Sequence, residues 1–406
     1  MNKLNNKTLV IASGALALAA LAVYLGSVAR YSSNVPFWDD FDAVLGFLIG
    51  YHDNPGQHWE QLSALHNEHR LLFSRLVVVA DYRLNGHVDM LHLIWLGDAG
   101  WLACIGMLWL YAQRKGVALA EFAPVIIVML VFSHRELMVW AMASLQQYFQ
   151  LAFSIGAILL LTCNRLAPAL ALFVLSSFTG GGGLLLAPVF GGYHLVNRQW
   201  RGLAISSVVI LLTAYAYFIG LPYMKPPHHT IVTDPLRIAA YALTFVGSAG
   251  RTRGGCYVFA ILLIIALIST RRTLFKTMPA LGWLAVYIFL TAVVGGVTRA
   301  GFGTDMARTS RYTEYSLLLI TIAYLGHLSA ATQARTRVRF VAIGLAISTA
   351  LFAYWYAVSR KPMQEHFNNL EKGIPIYPDP DHARGRVKQS CEIGLLAPSV
   401  CAKMRP

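Results

Sequence analysis

Three aspartates, Asp39, Asp40 and Asp42, stand among aromatic residues in the run FWDDFD. Carboxylates this close repel one another. That raises one pKa and suits the group to general-base work near neutral pH. The expected base is Asp40 or Asp39, removing a proton from an acceptor hydroxyl, with Asp42 beside the substrate. The same oxygens could hold a divalent cation. One aspartate in such a run is also expected to cap a helix start.

A second cluster follows in HNEHR, His66 to Arg70. Read as a helix, it sets His66 and Arg70 at i,i+4 on one face. Arg70 is the expected phosphate ligand, with His66, Glu68 and His69 as substrate contacts. HxxH spacing can ligate a metal, but HExxH or HxxxH would be the stronger zinc pattern. A solvated loop with incidental charge is the plain alternative. Arg75 lies deeper in LLFSRLVVV, where it either snorkels or helps bind an anion.

Three further stretches carry polar groups in apolar surroundings. Ser133–Gln150 holds His134, Arg135, Glu136, Gln146 and Gln147. The two glutamines suit hydrogen bonds to a sugar-like ligand, or equally to a neighbouring helix. Thr179–Gly183, TGGGG, permits close backbone approach or an anion-cradling nest, and a tight turn between short helices is the simpler reading. Thr298–Ser316 carries Arg299, Arg308 and Arg311, whose forked donors fit a lipid phosphate or pyrophosphate. Asp305 and Glu314 could instead pair with them. Arg251 and Arg253 add charge nearby. Neither GxSxG nor a catalytic-cysteine context occurs, which sets acyl-enzyme chemistry aside.

The elements that must position these groups are membrane helices. The chain is 56% hydrophobic and 13% charged, well below the roughly 25% charged residues of soluble proteins. Many apolar runs approach the ~20 residues that span a bilayer. Net charge is +14, but the basic residues fall in short connections poor in acids, from Lys3 and Lys7 through Arg114, Lys115, Arg165, Arg198, Arg201, Arg271, Arg272 and Lys276 to Arg335, Arg337 and Arg339. That is the positive-inside pattern, so no nucleic-acid partner is expected.

About eleven crossings are expected in an all-α, multi-pass protein, with interfacial helices near 41–51 and 236–246. The N-terminus is expected in the cytoplasm, on an uncleaved first helix. Residues 1–358 form the membrane domain, with the acidic loop at 30–71. Residues 359–406 form a short polar tail on the outer face, where Cys391 and Cys401 could pair. Nearly all the acids, histidines and glycine-rich turns fall on that face. Asp98, in LGDAGW, is the exception, and a buried hydrogen-bonded acid is its expected role.

Together, the paired acids after the first helix, HNEHR, the Gln146-Gln147 stretch and TSRYTEYS with Tyr312 resemble the GT-C class of membrane glycosyltransferases over roughly residues 8–358. The resemblance implies an inverting bacterial inner-membrane enzyme. It would move a monosaccharide from a polyprenyl-phosphate carrier to a glycan or lipid acceptor on the periplasmic face, in building or modifying lipopolysaccharide or another part of the cell envelope. Asp39-Asp40 would match the acidic motif of that class. Arg70, Arg299, Arg308 and Arg311 would stabilise the departing phosphate, and a divalent cation is compatible but not required. An O-antigen-type polymerase or ligase, a transporter or flippase, and a non-catalytic assembly protein are the competing classes.

Overall fold

A computed structural model describes residues 7–67, 69–219 and 231–404. In lipid each backbone N–H and C=O must be satisfied within its own segment, so the apolar runs fold as helices. After α1 (Lys7–Tyr31), the first loop carries a π-helical turn, Phe41–Gly46, that runs into α2 (Phe47–Asp53). Then come α3 (His58–Ser63), a hairpin of β1 (Leu65–His66) and β2 (His69–Arg70), and α4 (Leu72–Asn85). The chain continues through α5 (Met90–Arg114), α6 (Leu119–Met129), α7 (Ala141–Thr162), α8 (Leu166–Ser177) and α9 (Leu186–Val196). It proceeds to α10 (Trp200–Phe218), α11 (Pro235–Val246), α12 (Arg253–Thr277), α13 (Pro279–Arg299) and α14 (Thr313–Ala330). It ends in α15 (Ala334–Glu371), α16 (Pro380–Glu392) and α17 (Pro398–Lys403).

Among the described residues, seven helices are long and apolar enough to cross a membrane: α1, α5, α7, α10, α12, α13 and α15. The fold is thus a helical bundle of multi-pass membrane character. Eleven crossings are not reached by length and composition, because α6, α8 and α9 are shorter apolar helices and α14 is not among the seven; α11, expected at the interface, is also a shorter apolar helix. Of the seven, α7 has 67% of its apolar window buried and α10 only 17%, so α7 is central and α10 peripheral. α7 packs mainly on α5 and α8, and further pairs are α1 with α6, α6 with α15, α11 with α13 and α12 with α14.

Polar contacts fix these pairs in register. Tyr24 Oη donates to Asp98 Oδ1 at 2.5 Å, tying α1 to α5; this is the buried acid expected from LGDAGW. Trp101 Nε1 donates to the Met129 carbonyl at 2.7 Å. Arg337 grips Glu121 through Nε and Nη2, both at 2.7 Å, which joins α15 to α6 in a bidentate pair. Asp89 caps α5 by accepting from the Leu91 N–H at 2.8 Å.

Three expectations change. α7 begins at Ala141, so Gln146 and Gln147 sit on its second turn and not in a loop. HNEHR is a hairpin, pairing Leu65 with Arg70 and His66 with His69; Asn67 adopts a left-handed φ of 50° at the turn, which Asn tolerates better than most residues. Glu68 lies outside the described residues, as does most of the loop 222–235. α15 continues to Glu371, so the boundary at 358 falls inside a helix whose polar end still buries Met363 and Leu370.

The tail beyond α15 is folded onto the first loop. The Trp38 N–H donates to the Ile376 carbonyl at 3.0 Å and the Val88 N–H to the Leu395 carbonyl at 2.9 Å. Lys403 Nζ meets Glu371 at 2.6 Å. A disulfide joins Cys391 to Cys401 across 10 residues. Closing so short a loop stabilises by roughly 2–3 kcal/mol. Replacing both cysteines by serine is expected to speed proteolytic cleavage after residue 371 while leaving the bundle intact on a denaturing gel. An unchanged cleavage rate would show that the non-covalent contacts alone hold the tail.

Candidate functional site

The acidic run is split between two structural tasks. Asp40, 1% exposed, accepts from the Phe37 N–H at 3.0 Å through Oδ2 and from the Met142 N–H at 2.9 Å through Oδ1. Met142 lies in the first turn of α7, whose N–H groups have no partner within the helix. Burial pushes the Asp40 carboxyl up to about 7, against the pull of the two N–H donors and with a further push from Asp39. Asp42 accepts from Tyr377 Oη at 2.5 Å and meets His382 Nε2 at 2.9 Å and Arg386 Nε at 3.3 Å. Partial burial works against its charge, but these partners prevail and hold its carboxyl below the ordinary value. Asp39 is half-buried, and its carbonyl accepts from the Ala43 N–H at 2.7 Å.

Arg70 has a different task from the phosphate binding expected of it. Its Nε donates to the Tyr217 carbonyl at 2.6 Å, Nη1 to Ser63 at 2.5 Å and Nη2 to Ile219. Arg75 Nη1 donates to the carbonyls of Gln61, at 2.9 Å, and Ala64. The two guanidiniums thus satisfy the open carbonyl end of α3 and pin the hairpin to the end of α10. Arg308 is also engaged, with Asp305 at 2.9 Å and the Arg251 carbonyl at 2.9 Å, while Arg253 meets Asp305 at 3.1 Å. Arg311 lies over the Tyr312 ring at 5.6 Å.

The remaining motifs converge. A cavity of about 450 Å³ opens at the first-loop end of the bundle. It is lined by His69 from β2, Gln146 and Gln147 from α7, Gly181 and Gly182 from the glycine run, Arg299 from the end of α13, and Tyr312. Asp39, Asp40, Asp42, His66, Arg70, Arg308 and Arg311 do not line it, and among the described residues neither does any other carboxylate. Leu184, Leu185, Phe218, Ile231, Phe245 and Val294 make an apolar side.

The sequence reading missed Gln150, Tyr315, Tyr217 and Tyr241, which also line the cavity. Gln150 had a signal, since it stands one helical turn beyond Gln146. Its Nε2 donates to Tyr287 Oη at 3.1 Å, and that hydroxyl also receives Ser154 Oγ at 3.3 Å.

The glycine run exists for close approach. A Cβ on Gly180 would lie 2.3 Å from Gln150 Oε1, and one on Gly182 2.5 Å from Gln150 Nε2. On Gly181 it would lie 3.0 Å from Tyr217 Oη, and on Gly183 2.3 Å from the Ser176–Ser177 backbone. The arrangement offers amides and hydroxyls for a ligand rich in hydroxyl groups, one guanidinium for an anion, and an apolar wall. Among the described residues no three His, Cys, Asp or Glu side chains come together as a metal site.

A carboxyl raised in the folded state binds its proton more tightly folded than unfolded. Its contribution is therefore fully present below 3.8 and is lost as pH rises to about 7. The unfolding temperature in detergent is expected to fall across that interval, and Asp40→Asn to flatten the slope; an unaltered slope would assign it to another group. Gly183→Ala, whose Cβ meets backbone, is expected to cost about 1–3 kcal/mol. Gly182→Ala displaces only a flexible amide and costs less. Equal losses in thermal unfolding would overturn the close-approach account. No protein-family model, curated protein or solved structure matches this chain.

Proposed function

We propose that the chain is an inverting membrane glycosyltransferase that takes a monosaccharide from a polyprenyl-phosphate carrier, with the cavity as its donor site. The observation that carries this reading is the convergence of His69, Gln146, Gln147, Gly181, Arg299 and Tyr312 on one partly apolar cavity. The glutamines and tyrosines would take the sugar hydroxyls, Arg299 the phosphate, and the apolar wall the first units of the carrier.

The proton assignment moves from the acidic pair to His69, the histidine that lines the cavity among the described residues. Asp40 would keep a positioning role at the start of α7. In the step itself, the acceptor O–H gives its proton to the imidazole as its oxygen bonds the anomeric carbon. The bond from that carbon to the phosphate oxygen breaks, and the phosphate leaves with the electron pair. Arg299 is most useful there, because charge grows on the phosphate in the transition state.

Two features support an extracytoplasmic active face in a bacterial inner membrane. The Cys391–Cys401 disulfide lies in the tail folded onto the first loop, and disulfides persist in oxidising compartments. Arg114 and Arg337 lie at the opposite ends of their helices from that loop, in keeping with positive charge on the cytoplasmic side.

The apolar wall beside the amides and hydroxyls also fits one second reading, a carrier that binds the same lipid-linked headgroup without cleaving it. Proteoliposomes loaded with a polyprenyl-phosphate-linked sugar and an acceptor separate the two. Transfer of a single sugar is expected, with Arg299→Gln lowering kcat about 10²–10³-fold and His69→Gln abolishing the acidic-limb pH dependence, since a general base must be unprotonated to act. Intact donor appearing in the opposite leaflet, with no sugar transferred, would establish the carrier. A ladder of products would establish a polymerase.

A further inference from the structure

A second cavity, of about 600 Å³, lies at the opposite end of the bundle. It forms where α7 turns into α8 and α9 turns into α10. Its lining includes Asn164, His194, Arg198, Gln199, Trp200 and Arg201. None of these residues belongs to the site described above.

The floor is anchored on a buried histidine. His194 is 2% exposed. Its Nδ1 meets Gln199 Oε1 at 3.0 Å and its Nε2 meets Ser206 Oγ at 3.0 Å. Gln199 Nε2 donates to Asn164 Oδ1 at 3.1 Å. Gly202 lets α10 close over the imidazole, since a Cβ there would lie 2.6 Å from His194 Cε1.

The rim is cationic and unpaired. Arg198 and Arg201 are exposed, and among the described residues no carboxylate holds either guanidinium. Other arginines contrast with them: Arg337 is committed to Glu121, and Arg253 and Arg308 to Asp305. Arg198 also occupies a left-handed φ of 54°, a conformation in which glycine is the usual choice. Trp200, 64% exposed, stands between the two arginines as an aromatic of the membrane–water interface would.

We propose that this cavity binds a phosphate group, gripped by Arg198 and Arg201 over the His194–Gln199–Asn164 floor. Guanidinium pairs match phosphate oxygens in a fork and charge-assisted fashion. The phosphate comes either from an anionic phospholipid of the adjoining leaflet or from a soluble phosphate compound. Trp200 and the neighbouring Leu161 and Leu166 match the lipid source.

The test uses the full chain, stripped of lipid in a neutral detergent. Dioctanoyl phosphatidylglycerol, dioctanoylglycerol and inorganic phosphate are added separately, and unfolding temperature and native mass are read. Phosphatidylglycerol is expected to raise the unfolding temperature by several degrees and to bind one to one, and dioctanoylglycerol to do neither. An equal shift with inorganic phosphate assigns a soluble source and still supports the site. R198Q/R201Q is expected to lose the shift, while R271Q/R272Q, with exposed arginines at the same end of the bundle, retains it. If the double variant fails to accumulate, Arg201→Gln alone is expected to weaken binding at least tenfold. The proposal is overturned by no shift with any phosphate-bearing probe, by equal shifts with dioctanoylglycerol, by a shift that survives R198Q/R201Q, or by its loss in R271Q/R272Q. None of these outcomes depends on whether the first cavity transfers a sugar.

Discussion

Everything at the first-loop end depends on how α7 can begin inside protein. Its first N–H groups lie where water is absent, and an unmet buried donor costs about 1–3 kcal/mol. Asp40 meets the Met142 N–H from 102 residues away in the chain. That contact fixes both the start of α7 and the course of the first loop. Gln146, Gln147 and Gln150 then fall on the two turns that follow, facing the cavity.

A second constraint acts from the other wall. Three glutamines and several tyrosines can share a small volume only if the facing backbone comes close. The glycine run supplies that approach, with Gln150 against Gly180 and Gly182 and the Ser176–Ser177 backbone against Gly183. Tyr287 then fixes the Gln150 amide from α13. Neutral hydrogen bonds hold this wall, and they suit a site whose ligand brings hydroxyl groups and its own charge.

Local patterns were legible in the sequence, and non-local partners were not. The helical membrane character and the pairing of the two tail cysteines follow from composition and spacing. Gln146, Gln147 and the glycine run were each legible as a polar or close-approach stretch, but not as parts of one cavity. One aspartate of the run was legible as a cap, but not that it is Asp40 at the start of α7, because its recipient is remote. Arg70 was legible as a cation able to bind phosphate, yet its recipient carbonyls, on Tyr217 and Ile219, lie 147 and 149 residues on. The polar tail read as an appendage because α16 has almost no apolar stripe, whereas Asp42 binds it through Tyr377, His382 and Arg386.

Arginine placement therefore says little about function until the acceptors are counted. A guanidinium has five donors in a fixed fork, and each acceptor it gains within the protein leaves fewer for a ligand. Arg70 and Arg75 give theirs to carbonyls, and Arg308, Arg253 and Arg337 to carboxylates. Those five hold the fold together, although the sequence offers several of them as phosphate ligands. Arg299 lines the cavity at the first-loop end, and Arg198 and Arg201 rim the cavity at the other. The chain thus sets cationic groups at cavities on both ends of the bundle, which is the distribution a protein needs if it meets phosphate at both surfaces of a membrane.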